Sequence, residues 1–376
     1  MTAIRFSKPS FLGNELDYLG QVISEGYLGT NGAFVRRCEA LIGEQIGVPR
    51  IHLTSSATAA LELSALLLDL RPGDEVIMPA FTFVSCANAV ALRGATPVFV
   101  DILPETLNVD PGAVDAAISP RTRAILAVHY AGIPCAIDVL RALADRRGLI
   151  LIEDAAQAFM STLDGQPAGS FGHVGVFSFH QTKNLTSGEG GAIVVNDPIY
   201  AELAEIQLHK GTDRAAFDRG ERSRYTWIDL GSSFAANELT AAVLLAQIER
   251  VEEITIGRRA LWSRYHSALA SLEKAGKARR PVVPPNVVHN GHCYYLLLED
   301  EPTRDRFIAA MRSRGITTPF HFLPLDVSPG GRRYARAGGP LSATHSAAGR
   351  LVRLPLWFGM ESVQDQVVDA TFSALG

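Results

Sequence analysis

The fold is decided by an apolar run that ends in two acids, Leu149-Ile150-Leu151-Ile152-Glu153-Asp154. Every position before the acids is apolar, which is typical of a strand buried on both faces of a sheet. Similar runs lie at Glu75–Met78, Thr96–Val100, Ala124–Val128, Val174–Ser178 and Ala192–Val195. Because helix-like segments alternate with these runs, the sequence predicts an α/β fold with a mostly parallel central sheet.

The pattern changes in the last third of the chain. A helical pattern runs from Asn237 to Ala270, and a basic, Pro-containing loop follows at Lys274–Pro285. Cys293–Leu298 then reads as a strand and Arg304–Arg314 as a helix. We therefore expect a large domain over residues 1–250 and a smaller C-terminal α+β domain over residues 251–376.

Composition excludes several classes of protein. The chain has 376 residues, 47% of them hydrophobic, and a net charge of −4, so it is globular with no electrostatic reason to bind nucleic acid or an anionic membrane. Four scattered cysteines without a Cys-x-x-Cys pair predict neither a disulfide framework nor a zinc site. No signal-like segment or apolar run of roughly 18 residues appears, so we expect a cytoplasmic protein.

Two residues indicate the chemistry. Asp154 follows a central strand, where open α/β sheets bind ligands. Lys183 lies between two predicted strands and precedes the glycines of Gly188-Glu189-Gly190-Gly191, which permit a tight turn. Alone, each would be read as a helix cap or an exposed turn lysine. Together, an amine that forms imines and an acid that keeps a ring nitrogen protonated are typical of pyridoxal phosphate enzymes.

Other segments could complete such a site. Thr54–Thr58 places small and hydroxyl residues before the helix-like Ala59–Leu70, an arrangement that binds phosphate but is also an ordinary helix cap. Ser178 is a candidate hydroxyl donor. Phe81 and Phe83 are candidates to stack on the ring, and we assign Phe81 to the core instead.

The histidines give a weaker signal. His180 and His321 lie in apolar, strand-like surroundings, and neither has a second ligand at metal spacing, so we expect no metal site. For His321, a substrate contact and a buried core histidine are both open. The chain has no Gly-x-Ser-x-Gly turn, which argues against a serine hydrolase.

Several motifs together resemble the DegT-type nucleotide-sugar aminotransferases over nearly the whole chain. The likeness is carried by Glu153–Gln157, Ser178–Asn184, Gly188–Gly191, Ser56–Leu61, Pro72–Ile77, Val128–Gly132 and Leu354–Leu356. Gly73–Val84 and Thr226–Ser233 are most similar to the bacterial branch that makes dTDP-4-amino-4,6-dideoxygalactose. The resemblance implies the aspartate aminotransferase fold (fold type I), and a homodimer whose subunits share each active site.

The resemblance also implies roles for individual residues. Lys183 would form the imine with pyridoxal 5'-phosphate, Asp154 would contact the ring nitrogen, and Gln157 would lie near the 3-hydroxyl. Phe83 would stack on the ring. The phosphate would be held by Ala57, Thr58 and Ser178. His180 and His321 are the candidates for substrate contacts.

The chain departs from the family at one phosphate contact. Many members have an asparagine in a Gly-Tyr-Asn-Tyr-Arg segment, and it reaches the phosphate of the neighbouring subunit. This chain has Ser233 there, and Asn237 lies one helical turn on. Both are therefore candidates for that contact.

The expected reaction is transfer of an amino group from L-glutamate to a nucleotide-linked 4-keto-6-deoxy sugar. Alternatives on the same fold are a 3-keto sugar aminotransferase and a sugar dehydratase that uses the pyridoxamine form of the coenzyme. Dehydratases of this kind carry histidine at the position of Lys183, which argues against the second alternative. A regulatory protein without turnover is the remaining alternative, and Lys183 with Asp154 argues against it.

Overall fold

The computed structural model describes residues 3–376. Its strands are β1 (Ile51–Thr54), β2 (Glu75–Pro79), β3 (Thr96–Val100), β4 (Thr122–Val128), β5 (Ile150–Asp154), β6 (Thr162–Leu163), β7 (Gln166–Pro167), β8 (Val174–Ser178), β9 (Gly191–Val195), β10 (Val287–Val288), β11 (Tyr294–Leu297), β12 (Arg336–Ala337) and β13 (Leu351–Leu354). All six strand segments predicted for the central sheet are confirmed as strands.

The α-helices cover both faces of the sheet and much of the C-terminal part. They are α1 (Glu15–Glu25), α2 (Ala33–Ile46), α3 (Ala57–Leu67), α4 (Val84–Ala91), α5 (Pro111–Ala117), α6 (Ile137–Arg147), α7 (Ala201–Leu208), α8 (Arg214–Asp218), α9 (Glu238–Ile248), α10 (Val251–Ala268), α11 (Ala270–Lys274), α12 (Glu301–Ser313), α13 (Pro329–Tyr334), α14 (Ser342–Arg350) and α15 (Glu361–Leu375).

The central sheet has eight strands in the order β1-β9-β8-β5-β4-β2-β3-β12. Neighbours from β8 to β12 pair in parallel, whereas β9 is antiparallel to both β8 and β1. The α/β fold with a mostly parallel sheet is therefore confirmed. The antiparallel pair β8–β9 forms a hairpin, and the connection between these two strands carries Lys183.

The core lies on both sides of the sheet because alternate strand residues point to opposite faces. Met78 and Ile152 pack under α3 and α4, while Ile77 and Leu151 pack against the layer that contains α5 and α6. All four are at most 2% exposed. Burial on both faces explains why these strands are apolar throughout.

The C-terminal part has its own apolar cluster. β11 and β13 form an antiparallel pair, and α10, α12 and α15 pack around it. Asp300 begins α12 by accepting a hydrogen bond from the N–H of Thr303 at 2.8 Å. The predicted strand at Cys293–Leu298 and the predicted helix at Arg304–Arg314 are confirmed, with shifted ends.

The single long helix predicted from Asn237 to Ala270 is wrong. The chain forms two helices, α9 and α10, separated at Glu249 and Arg250, where Arg250 has φ of −116°. α9 packs on α1 and α2, whereas α10 packs on α15. Each of the two helices buries an apolar face against its own partners. The apolar pattern therefore continues through Glu249 and Arg250, although the helix is interrupted there.

The candidate active site

The carboxyl ends of β4, β5 and β8 line a cavity of about 890 Å³. Segments from the C-terminal part of the chain, among them Pro319–Leu323 and Arg353, close its other side. Parallel strands bring their carboxyl ends to one edge, so residues far apart in sequence meet there. The cavity contains Lys183, Asp154 and most of the other predicted site residues.

Lys183 lies in the β8–β9 connection. Its backbone N–H donates to the carbonyl of His180 at 2.9 Å, and Gly188 further along has φ of +84°. Asn184, the next residue, donates to the carbonyl of Asn290 at 2.9 Å and contacts Nδ1 of His292 at 3.1 Å, which ties the connection to the C-terminal part. Burial lowers the pKa of Lys183, while the charge of Asp154 acts in the opposite direction.

Asp154 is the last residue of β5 and is 6% exposed. Its Oδ1 accepts from the N–H of Ala156 at 3.0 Å, and its Oδ2 accepts from the thiol of Cys86 at 3.1 Å. Within residues 3–376 it forms no ion pair. A buried carboxylate without a cationic partner is costly, so this geometry suits a positively charged ligand atom.

The start of α3 forms an anion site. Ala57 and Thr58 are the first two residues of this 11-residue helix, so their N–H groups have no acceptor within it. The next N–H, of Ala59, is taken by the side chain of the cap residue Ser56 at 3.1 Å. The Thr58 hydroxyl lies 2.8 Å from that of Ser85. Two free N–H groups, hydroxyls and the helix dipole together suit a phosphate.

The amide of Gln157 also lines the cavity. Its Oε1 accepts from the N–H of Ala131 at 2.8 Å, so its amide nitrogen keeps its donor hydrogens for another partner. Phe83 caps α4 and is 57% exposed, with its ring centroid 6.4 Å from that of Phe322. Phe81 is 1% exposed, which confirms its assignment to the core.

Both predicted histidines lie in the cavity. His180 contacts the Thr182 hydroxyl through Nδ1 at 2.9 Å, and Nδ1 of His321 lies 3.1 Å from the Tyr130 hydroxyl. Burial and the neighbouring charges of Arg353 and Lys183 hold the pKa of His321 well below its ordinary value. His321 is therefore a neutral ring that can donate or accept a hydrogen bond.

Ser233 and Asn237 do not line the cavity. Ser233 is exposed in the long segment before α9, and Asn237 caps α9 by accepting from the N–H of Thr240 at 2.9 Å. Their side chains are thus placed away from the Lys183 of their own chain.

Cys86, Phe6 and Arg353 are among the cavity residues that were not predicted from the sequence. Cys86 lies two residues beyond Gly73–Val84, the segment that resembles the family, and no motif indicated its position next to Asp154. Arg353 directly precedes the Leu354–Leu356 motif, and that position was the only available clue.

The match to known proteins covers the whole chain. A family model described as the DegT/DnrJ/EryC1/StrS aminotransferase family matches residues 11–372. The solved structure of the aminotransferase TlmJ from Streptoalloteichus hindustanus is 31% identical, with a TM-score of 0.91 over 99% of this chain and 98% of that one.

Two further solved structures are similar. The sugar aminotransferase CalS13 from Micromonospora echinospora is 30% identical, with a TM-score of 0.89 over 98% of this chain and 99% of that one. Spr1654 from Streptococcus pneumoniae, in its PMP (pyridoxamine phosphate) form, is 25% identical, with a TM-score of 0.90 over 98% of each chain.

The residues of the cavity fit pyridoxal phosphate. Its phosphate matches the free N–H groups of α3, its ring nitrogen matches the unpaired carboxylate of Asp154, and its aldehyde matches the amine of Lys183. β9 approaches the start of α3 so closely that a Cβ on Gly191 would lie 2.4 Å from the nitrogen of Ala57. This close approach supports the N-terminal end of α3, where the phosphate would bind. By sequence and by structure, the chain belongs to the DegT/DnrJ/EryC1/StrS aminotransferase family and is a pyridoxal phosphate-dependent transaminase.

Proposed function

We propose that this enzyme moves an amino group from L-glutamate to a nucleotide-linked 4-keto-6-deoxy sugar, giving a product of the dTDP-4-amino-4,6-dideoxygalactose type. The observation that carries the proposal is the meeting of Lys183, Asp154 and the start of α3 in one cavity. Similarity to CalS13, a sugar aminotransferase, supports a sugar as the acceptor. The likeness of Gly73–Val84 and Thr226–Ser233 to the 4-aminating branch supports the position of amination.

The coenzyme supplies an aldehyde that takes up the amino group and a ring that accepts electrons when the substrate carbon loses its proton. In our proposal, Nζ of Lys183 takes that proton and returns it, as base in one half-reaction and acid in the other. The lowered pKa of Lys183 favours the free amine that this role needs. Asp154 keeps the ring nitrogen protonated.

The remaining residues bind and orient the coenzyme and the substrate. The N–H groups of Ala57 and Thr58, with the Ser178 hydroxyl, hold the phosphate. The free amide donors of Gln157 would hold the coenzyme's 3-hydroxyl, and Phe83 would stack on its ring. His180 and His321, which line the cavity, contact the substrate.

We propose that the enzyme is a homodimer in which Ser233 or Asn237 reaches the phosphate site of the partner. This is supported by the position of both residues away from their own cavity. It is also supported by Glu221–Ser233, which is exposed throughout and carries four exposed large apolar residues, Tyr225, Trp227, Ile228 and Leu230. No helix within residues 3–376 is long and apolar enough to cross a membrane. Four free, buried cysteines support a reducing compartment such as the cytoplasm.

We propose residues 1–250 as the large domain and residues 251–376 as the small one. Separate apolar clusters support this division, since one of them is built almost entirely from residues after 250. The active site then lies where the two parts meet.

The test is incubation of the purified enzyme with glutamate and a panel of 3-keto and 4-keto sugar nucleotides, followed by NMR of the products. We expect a 4-amino sugar from a 4-keto-6-deoxy substrate. Lys183→Ala should lose turnover while its circular dichroism spectrum stays unchanged, because the side chain packs at a cavity and holds no other element. A 3-amino sugar, or a deoxygenated sugar without nitrogen, would refute the proposed substrate.

A further inference from the structure

Cys86 is a buried thiol beside the site to which nothing above assigns a role. It lies in the first turn of α4, where its backbone N–H donates to the carbonyl of the cap residue Phe83 at 3.2 Å. It has no exposed surface, and its Sγ donates to Oδ2 of Asp154 at 3.1 Å. The thiol therefore contacts the carboxylate on which the proposed chemistry depends.

The thiol is the donor in this contact. An ionised carboxylate has no hydrogen to donate. Burial and the charge of Asp154 raise the pKa of Cys86 well above its ordinary value, so the thiol keeps its proton. The hydroxyl of Thr82 lies 3.3 Å from the same sulfur. Because the one hydrogen of Cys86 goes to Asp154, the Thr82 hydroxyl must donate to the sulfur, and this second bond orients the thiol.

Asp154 has few other donors. Its Oδ1 accepts from the backbone N–H of Ala156 at 3.0 Å. Among residues 3–376, Cys86 is the only side chain that donates to it. The backbone bond holds one oxygen and the thiol holds the other, so the two together set the plane of the carboxylate. Without the thiol, only the bond from Ala156 would oppose rotation of that plane.

The first turn of α4 contacts the site at three places. Phe83 exposes its ring, the Ser85 hydroxyl lies 2.8 Å from that of Thr58 at the start of α3, and Cys86 holds Asp154. α4 also packs directly on α3. The carboxylate and the start of α3 are thus positioned by the same helix.

The direction of the hydrogen bond determines its effect on a bound ring. A donor on Oδ2 withdraws negative charge from the carboxylate. A proton shared between Asp154 and a ring nitrogen therefore stays on the nitrogen, where it lets the ring accept electrons. An apolar side chain at position 86 would leave the full charge on the carboxylate, and that charge would draw the proton toward the oxygen.

We propose that Cys86 is a positioning residue for Asp154, and that its thiol keeps the shared proton on the ring nitrogen of the coenzyme. The proposal rests on the proposed role of Asp154. It is independent of which keto sugar accepts the amino group.

The first test observes the hydrogen bond itself, by infrared spectroscopy of the holoenzyme in the S–H stretching region. It compares the wild type with Cys86→Ala, Asp154→Asn and a matched control, Cys38→Ala. Cys38 is also fully buried, donates to the carbonyl of Ala241 at 3.3 Å and does not line the cavity. We expect Cys86→Ala to remove the S–H band of lowest frequency, because a charged acceptor forms the strongest bond. Asp154→Asn should move that band to higher frequency.

The second test observes the ring nitrogen. The apoenzyme is reconstituted with coenzyme that carries ¹⁵N in its ring, and the ¹⁵N chemical shift is measured by solid-state NMR. In Cys86→Ala the shift should move toward that of an unprotonated ring. Cys86→Ser keeps a donor and should stay close to the wild type, as should Cys38→Ala.

The reaction with glutamate gives a kinetic measure of the same effect. At saturating glutamate, Cys86→Ala should react about tenfold more slowly, the effect of losing one hydrogen bond to a charged group. The glutamate concentration that gives half the maximal rate should be unchanged, because Cys86 has no exposed surface with which to bind the amino acid. Cys86→Ser should recover most of the rate.

Two results would overturn the assignment. One is an S–H band of Cys86 that Asp154→Asn leaves in place. The other is a ring-nitrogen shift in Cys86→Ala that equals the shift in Cys38→Ala. A ring nitrogen that is unprotonated in the wild type would refute the proposed role of Asp154 and this inference with it. If the wild type reacts with glutamate but aminates no keto sugar, only the proposed acceptor fails, since both spectra are recorded without a sugar.

Discussion

At the scale of single residues, the chemistry depends on the protonation of Lys183. Burial lowers its pKa below the ordinary 10.5, and Asp154 partly offsets this. Because only the free amine attacks an aldehyde, covalent capture of the coenzyme by the apoenzyme should accelerate with pH and level off below 10.5. Asp154→Asn removes the charge that raises this pKa, so the inflection should move to lower pH. The rate of absorbance change, measured against pH, reports both values.

An inflection at or above 10.5 in the wild type would contradict this reading of Lys183. A shift to higher pH in Asp154→Asn would contradict the electrostatic role of Asp154. The same apoenzyme preparation with Glu189→Gln serves as a control, since Glu189 lines the cavity but is exposed.

Lys183 and Asp154 could be predicted from residue type and position in the sequence, because few kinds of site combine an imine-forming amine with a carboxylate at the end of a central strand. Ala57 and Thr58 were found through the helix start, which is a local feature. Arg353 and Cys86 were not found, because their places in the cavity depend on how β13 and α4 pack, and no local pattern encodes that packing. The residue roles themselves stay predictions that the experiments above test.

At the scale of elements, the phosphate site depends on the close approach of β9 to α3. Gly191 pairs with Thr54 at the end of β1, and a Cβ there would lie 2.4 Å from the nitrogen of Ala57. Gly191→Ala should therefore push the start of α3 outward and weaken coenzyme binding by at least about tenfold, because the added methyl group would clash with backbone atoms of Ser56 and Ala57. Fluorescence titration of the apoenzyme with coenzyme measures this.

Gly330→Ala is the matched control, since a Cβ at Gly330 would meet no atom within 4 Å. Equal coenzyme affinity in Gly191→Ala and the control would show that the contact between β9 and α3 does not shape the site. Thermal unfolding of both apoproteins separates a local shift from general destabilisation.

The central strands could be predicted because they are buried on both faces, and their apolar runs are continuous. β12 could not, because Arg336 and Ala337 are two residues whose strand geometry comes only from pairing with β3. The helix break at Glu249 was missed for a related reason. The spacing of apolar residues along the chain indicates which residues are buried. It does not indicate that α9 and α10 pack against different elements.

At the scale of the whole molecule, the exposed Glu221–Ser233 segment should contact a second copy of the chain. Trp227 is 74% exposed, and substitution by a charge should disrupt an apolar interface centred there. We expect Trp227→Glu to raise the dimer dissociation constant by at least about thirtyfold, the effect of losing an interface hot spot. Sedimentation velocity across a concentration series measures it.

Ile256→Glu is the control, since Ile256 is also an exposed apolar residue, at 66%, but lies on α10. A wild type that sediments as a monomer, or identical behaviour of the two variants, would contradict the proposed interface. The dimer also predicts that mixing Lys183→Ala with Ser233→Ala subunits changes activity per site, because each site would draw on both chains.

The pairing of β12 with β3 bears on how the chain is made. Arg336 donates to Glu75, a carboxylate that is 2% exposed, and completes the edge of the sheet. Since the ribosome delivers the N-terminal end first, β3 emerges long before the strand that covers it. During synthesis the nascent chain therefore presents Thr96–Val100 as an uncovered apolar strand. Until the C-terminal residues are released, that strand would be accessible to chaperones and to other chains with which it could aggregate.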